Sequence, residues 1–431
     1  MLNHQPKRTT KAKPKHRRKY FAACTIAASF ALLAAQSVFA SSDIGPGLLN
    51  LSPADTYAVY QWGLQNNGKL AVERAALKQD AFDELYQSYR EWEQSGGIGI
   101  PPRSPEPDDF EQTVMRAEKG IDINAAKALQ DYKKAKADGT SFRDVVVAVI
   151  DTGIDTEHIE LKDALWVNED EIAGDGIDND SNGYVDDVNG YNFFDHSPRI
   201  RDNKLSDLHG THAAGTIAAK WGNGGITGLT DAAHVKIMAL KALDQDGGGT
   251  EQSVIEAIRY AEANGASICN LSLGGTEKFP ELEKAMAASS MLFVVAAGNG
   301  DENGIGYDTD QKPVYPASFD ADNILSVANL DFTGALDKSS NYGVKSVDIA
   351  APGTYILSTA PGNTFRFLTG TSMAAPMVTG VCAMVYSYRP DLDLAQVKEA
   401  VLATVHPLES LTGKVKTGGI PDLAAAMQYG R

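Results

Sequence analysis

Val145–Ile150 is an unbroken run of β-branched and other apolar residues, and similar runs recur at His234–Leu240, Ala266–Leu273, Met291–Ala297 and Ile324–Val327. Strands this apolar on both sides must be covered on both faces. Helical stretches lie between several of the runs, at Gly210–Lys220, Thr250–Asn264 and Pro280–Ser289. The alternation predicts an α/β fold: a parallel β-sheet flanked by helices on both faces. A long helix over Ser372–Arg389, ended by Pro390, and two more over Asp393–Thr404 and Pro421–Tyr429 complete the pattern.

The chain before Asp144 is mixed. Gln61–Gly68 reads as a short extended piece ending in a turn, Leu70–Trp92 has helical spacing, and Gly96–Asp109 is a Gly/Pro/acidic linker. A further helix fits Ile123–Lys136.

The first forty residues carry eight basic side chains, from Lys7 to Lys19, and no acidic one. An apolar stretch, Phe21–Ala35, follows, and then Ser-Val-Phe-Ala with small residues at Val38 and Ala40. That order is an export signal with its cut after Ala40. The apolar stretch falls short of the ~20 residues a span needs, which argues against a retained anchor. The expectation is a secreted, periplasmic or cell-surface protein with no stable membrane anchor once the signal is removed.

Without those eight residues, 31 basic side chains face 56 acidic ones, a net charge of −25. Such a surface repels nucleic acid and suits a protein that binds cations. Cys24 leaves with the signal. Cys269 and Cys382 lie in apolar segments, as buried free thiols would; a disulfide is the alternative in an exported protein.

Four motifs carry candidate chemistry. In Val145–Gly153 a carboxylate, Asp151, ends a buried strand before a glycine turn. The carboxyl edge of a parallel sheet is where such folds bind ligands, although an Asp there can simply cap a helix or a turn. His209-Gly-Thr-His212 opens a helix. Two histidines three apart could ligate zinc, but no Glu-rich partner motif accompanies them. In Gly370-Thr-Ser372-Met-Ala-Ala-Pro376 a serine opens an apolar helix with a proline a few residues in. Serine is a common N-cap, but the proline costs helix stability and calls for a local reason. Phe293–Gly300 runs a strand into Gly-Asn299-Gly, either an ordinary turn or an amide donor for a developing oxyanion.

The order Asp…His…Asn…Ser resembles the subtilase family of serine peptidases, from about Asp144 to Tyr429, and Gln61–Gly68 resembles the amino-terminal strand of many subtilases. The resemblance implies a subtilisin-like fold and polypeptide substrates. Asp151 would be the orienting acid, His209 the general base, Ser372 the nucleophile and Asn299 the side-chain oxyanion donor, with His212 structural. It also implies that Gly247, Gly248 and Gly249 on one side and Ser272, Leu273 and Gly274 on the other pair with an extended peptide. Val314 would floor the pocket for the residue before the cut.

Between Asp151 and His209 lies an acidic insertion in which Asp178, Asp180 and Asn182, followed by Gly183, have the alternate spacing of the first half of a calcium loop, with Asp186 and Asp187 as further candidate ligands. The closing Glu is missing, so a solvated acidic loop competes with a structural Ca²⁺ site. Residues 41–120 read as an amino-terminal strand plus an insertion, or else as an atypical propeptide, and 121–431 as the peptidase domain. The alternative to an enzyme is a catalytically idle, calcium-dependent scaffold on the same fold.

Overall fold

The computed structural model describes residues 20–23, 55, 57–73, 112–202 and 206–431. Most of the expected export signal and the expected Gly96–Asp109 linker lie outside the described residues.

The centre is a seven-stranded sheet made of β4 (Val145–Asp151), β5 (Gly190–Asn192), β6 (Val235–Lys241), β8 (Ile268–Leu271), β10 (Leu292–Ala296), β11 (Ile324–Leu330) and β12 (Ile349–Pro352). Their spatial order is β12-β11-β10-β8-β4-β6-β5. Every neighbouring pair is parallel. All carboxyl ends therefore open on one edge.

The two-residue alternation of a strand divides the core. Val145, Val147 and Val149 face one apolar cluster with α2 (Leu208–Ala218) and α5 (Thr371–Tyr388). Ala148 and Ile150 face the other, with α3 (Glu251–Ala263) and α4 (Pro280–Ala288). Helix α5 is buried along its whole length except at Tyr386, as expected of a helix that is apolar all round. Cys269 and Cys382 fall in opposite clusters and are free thiols. Burial pushes both thiols up, Cys382 to about 12.

The amino-terminal half departs from the expectations. The helix expected from Leu70 starts instead as a strand: β2 (Lys69–Glu73) pairs antiparallel with β3 (Gln112–Arg116). The partner lies about forty residues away, so local spacing carries no trace of it. Residues 74–111 lie outside the described set. Gln61–Gly68 is a series of turns after a short 3₁₀ segment, Ala58–Tyr60, with Trp62 Nε1 donating to Thr354 O at 2.9 Å. The apolar run expected at Ala266–Leu273 breaks at Ser272 into β8 and the two-residue β9 (Leu273–Gly274). Outside the main sheet, β9 and β7 (Gly248–Thr250) flank β1 (Tyr20–Ala23) in a three-stranded antiparallel sheet.

Candidate active site

β10, β8 and β4 are neighbours in the sheet, and each delivers a residue at its carboxyl end. Asp151 is the last residue of β4, Ser272 follows β8, and Asn299 lies three residues past β10. Helices α2 and α5 pack against one another and carry His209 and Ser372 as their second residues.

His209 and Asp151 are both buried. The His209 Nδ1–H donates to the Asp151 carboxylate, with both oxygens at 2.8 Å. The bond fixes the tautomer and leaves a lone pair on Nε2. Among the described residues Nε2 is buried and has no hydrogen-bond partner. The start of α2 fits against the turn after Asp151, where a Cβ at Gly210 would lie 2.3 Å from Gly153 O. His212 is separate: its Nε2–H faces the Ile356 and Arg366 carbonyls at 2.9 and 3.1 Å. Burial is the main cause that lowers its pKa to about 3 and keeps it neutral.

Ser372 is buried at the second position of α5, where a backbone N–H has no carbonyl one turn earlier in the helix. Its hydroxyl donates to Ser272 O at 3.2 Å. Pro376 lacks the N–H that would bond the Ser372 carbonyl four residues back. Ser272 Oγ donates to that carbonyl instead, at 2.9 Å. The proline thus leaves an acceptor that the end of β8 fills, and the pair of bonds ties helix to strand.

The Asn299 amide is oriented by the same helix. Its Oδ1 accepts from Thr371 N–H at 2.8 Å and from Thr371 Oγ1 at 2.9 Å. Gly370 has φ +151°, and a Cβ there would come 3.1 Å from Asn299 Nδ2. Only glycine gives the amide that room. Asn341 braces the turn, with its Nδ2 donating to Ala297 O at 3.1 Å and its Oδ1 accepting from Gly300 N at 3.1 Å.

Of the residues expected to bind substrate, Gly248 and Gly249 lie in β7, and Leu273 and Gly274 form β9. Gly247 precedes β7 with φ +76°. β1 runs between the two edges, with Ala22 opposite both Gly248 and Gly274. Val314 is buried, and a Cβ at Gly298 would lie 3.4 Å from its Cγ1. The structure therefore puts Val314 beside the Asn299 turn.

In the acidic insertion, carboxylate oxygens of Asp178, Asp180 and Glu171 come within 4.8 Å of one another. Asn182 lies against them, its N–H donating to Asp180 Oδ1 at 2.9 Å. Asp186 turns away to accept from Gly174, Asp175 and Gly176 N–H. Asp187 is buried and accepts from Tyr260 Oη at 2.5 Å. Glu171 escaped the sequence reading because it lies seven residues before the spaced motif.

Glu160 also escaped it. It is buried, and neither carboxylate oxygen has a well-formed hydrogen bond among the described residues. Burial pushes its pKa up to about 7; the Asn223 amide offsets the rise and the Asp55 carboxylate adds to it. Asp55 is itself buried, accepting from Gly222, Asn223 and Gly224 N–H. Only tertiary contact brings Glu160 and Asp55 together, so no sequence motif signals the pair.

The subtilase family model matches residues 143–426. Over 344 residues the chain is 34% identical to the Plasmodium vivax "Subtilisin-like protease 1", a match covering 74% of this chain and 52% of that protein. It is 36% identical over 259 residues to the "Major intracellular serine protease" of Bacillus subtilis (strain 168), covering 59% of this chain and 72% of that one. "Subtilisin DY" of Bacillus licheniformis is 32% identical over 278 residues, covering 63% and 87%. The chain spans about half the length of its Plasmodium vivax relative. Among the described residues no helix is long and apolar enough to cross a membrane.

Proposed function

The chain belongs to the subtilase family, and from that premise we propose that it is an exported serine endopeptidase. Asp151 is the orienting acid, His209 the general base, Ser372 the nucleophile and Asn299 the oxyanion donor. The observation that carries this reading is the buried, unpartnered Nε2 of a histidine whose Nδ1–H is held by Asp151.

A serine hydroxyl is a poor nucleophile until a neighbouring base takes its proton. Rotation of the Ser372 hydroxyl from Ser272 O toward Nε2 supplies that step, and such bonds are often loose before substrate binds. Oγ attacks the peptide carbonyl and its proton passes to Nε2. Asp151 stabilises the imidazolium that results. The oxyanion accepts bonds from the Ser372 N–H and the Asn299 amide. His209 then protonates the leaving amine, and a water deprotonated by the same nitrogen hydrolyses the acyl-enzyme.

The substrate is an extended polypeptide added as a strand between β7 and β9, where main-chain bonds hold it. The pairing of β1 with both edges supports that reading. Val314 makes the pocket shallow and favours small or medium apolar residues before the cut; preferred cleavage after Arg or Lys in a peptide library would refute that pocket floor.

Calcium belongs to the same reading. Glu171, Asp178 and Asp180, with Asn182 beside them, offer the oxygen-only donor set that suits it. The orphan oxygens of Glu160 near Asp55 fit a second cation. Bound there, calcium would neutralise clustered carboxylates and order the loop between acid and base.

A serine-directed fluorophosphonate tests the enzyme. Wild-type protein should label and turn over peptide, while Ser372→Ala should do neither. Well-folded wild-type protein that fails to label would favour a catalytically idle scaffold.

A further inference from the structure

Lys241, the last residue of β6, sits opposite Asp151 in the sheet register and is only 1% exposed. Its Nζ donates to Thr152 O, the carbonyl next along the chain from Asp151. The same ammonium lies 3.1 Å from Asp202 Oδ2. Asp202 N–H in turn donates to Asp207 Oδ2 at 2.8 Å, and Asp207 is the residue from which α2 starts, two before His209. Asp207 is buried, and its backbone carbonyl accepts from Thr211 N–H and Thr211 Oγ1 in the first turn of that helix.

We propose that Lys241 is a positioning residue for the Asp151–His209 pair: its ammonium ties the turn after the acid to the loop that launches the helix carrying the base. Resting on the peptidase reading above, the inference adds a fourth strand, β6, to the β4, β8 and β10 ends that already supply site residues. A buried ion pair is weak grounds for stability, because an apolar side chain of similar volume often serves as well. What an apolar side chain cannot do is hold a carbonyl and a carboxylate from two loops at one point. Packing makes that point matter. A Cβ at Gly153 would lie 2.9 Å from Asp207 Oδ1, and one at Gly210 only 3.1 Å from Asp151 Cβ. Drift of either loop therefore changes the distance from Asp151 to His209. Burial is the main cause that pushes Asp207 up to about 6; the bond from Asp202 N–H and then the Lys241 charge oppose the rise.

Lys241→Met fills similar space without the charge. It should lower kcat by ~10–100-fold with KM changed by less than ~3-fold, the signature of a misplaced catalytic group rather than lost binding. The downfield proton resonance of His209 Nδ1–H, which needs no turnover to observe, should shift or broaden. Lys236→Met, a half-buried control on the same strand whose Nζ donates to Asp163 O at 2.7 Å, away from the acid and base, should leave both unchanged. A folded Lys241→Met protein with wild-type kcat and resonance, altered only in melting temperature, overturns the proposal. Should Lys241→Met fail to fold, Asp202→Asn decides: lower kcat with a moved resonance supports positioning, and wild-type values overturn it. Wild-type protein that does not label with fluorophosphonate would sink the peptidase reading instead, and the resonance would still decide the role of Lys241.

Discussion

Pro376 and Ser272 form a pair across 104 residues of sequence, and the pair is testable by exchange. Ser272→Ala leaves the Ser372 carbonyl buried without a donor, at a cost of ~1–3 kcal/mol. Pro376→Ala supplies a backbone N–H four residues along, so the double variant should recover part of the lost melting temperature. No recovery would mean that the Ser272 bond is not what offsets the proline. As the proposed oxyanion donor, Asn299 would make its contribution in the transition state. Asn299→Ala should lower kcat by ~10²–10³ with little change in KM, because the oxyanion exists only there. A raised KM with kcat intact would make Asn299 a ground-state contact. Glu160 sets a pH dependence. Its folded pKa of about 7 lies above its ordinary 4.5, so between those values the folded state binds more protons than the unfolded one. Stability must then fall as pH rises from about 4.5 through about 7. In chelator, melting curves across that window should show the fall, and Glu160→Gln should flatten it. Equal slopes in both proteins would place the titration elsewhere.

At the scale of elements, β7 and β9 are short edges left apart by a strand-wide gap, and β1 occupies the gap. A chain that keeps β1 presents its own backbone where the proposed substrate strand would pair. Protein beginning at Ser41 should therefore show a lower apparent KM for peptide substrates than protein retaining the first forty residues, with kcat similar. Ala22→Pro, which removes a ladder donor from β1, should shift the longer form toward the shorter one. Identical initial rates for all three would show that the pairing does not compete with substrate.

Over the whole molecule, the insertion from residue 168 to 195 stands out, with nine acidic side chains and no Lys or Arg. Binding only the folded state stabilises it by ~2.7 kcal/mol when free Ca²⁺ is ~100-fold above Kd. Chelation should lower the melting temperature and speed self-digestion, and added Ca²⁺ should reverse both. Mg²⁺ should rescue poorly, since it demands tighter octahedral geometry. If Asp178→Ala with Asp180→Ala keeps the full calcium-dependent shift, the stabilising ion sits elsewhere, and Glu160 is the next residue to change.

Local physics made the sheet and the order of its chemistry legible in the sequence. Runs apolar on both faces announce buried parallel strands, and Asp151, His209, Asn299 and Ser372 each sit at a strand end or helix start that neighbouring residues define. The reason for Pro376 was not legible, because its partner lies at the end of β8 and only the sheet brings it close. Nor was β2, since antiparallel pairing with β3 overrides the helical spacing that begins at Leu70. Lys241 reads as one more strand residue until β4 and the loop before α2 close over it, and Glu160 as a solvent carboxylate until Asp55 meets it. Periodicity is a property of consecutive residues, whereas burial of a charge is decided by whatever the folded chain packs against it.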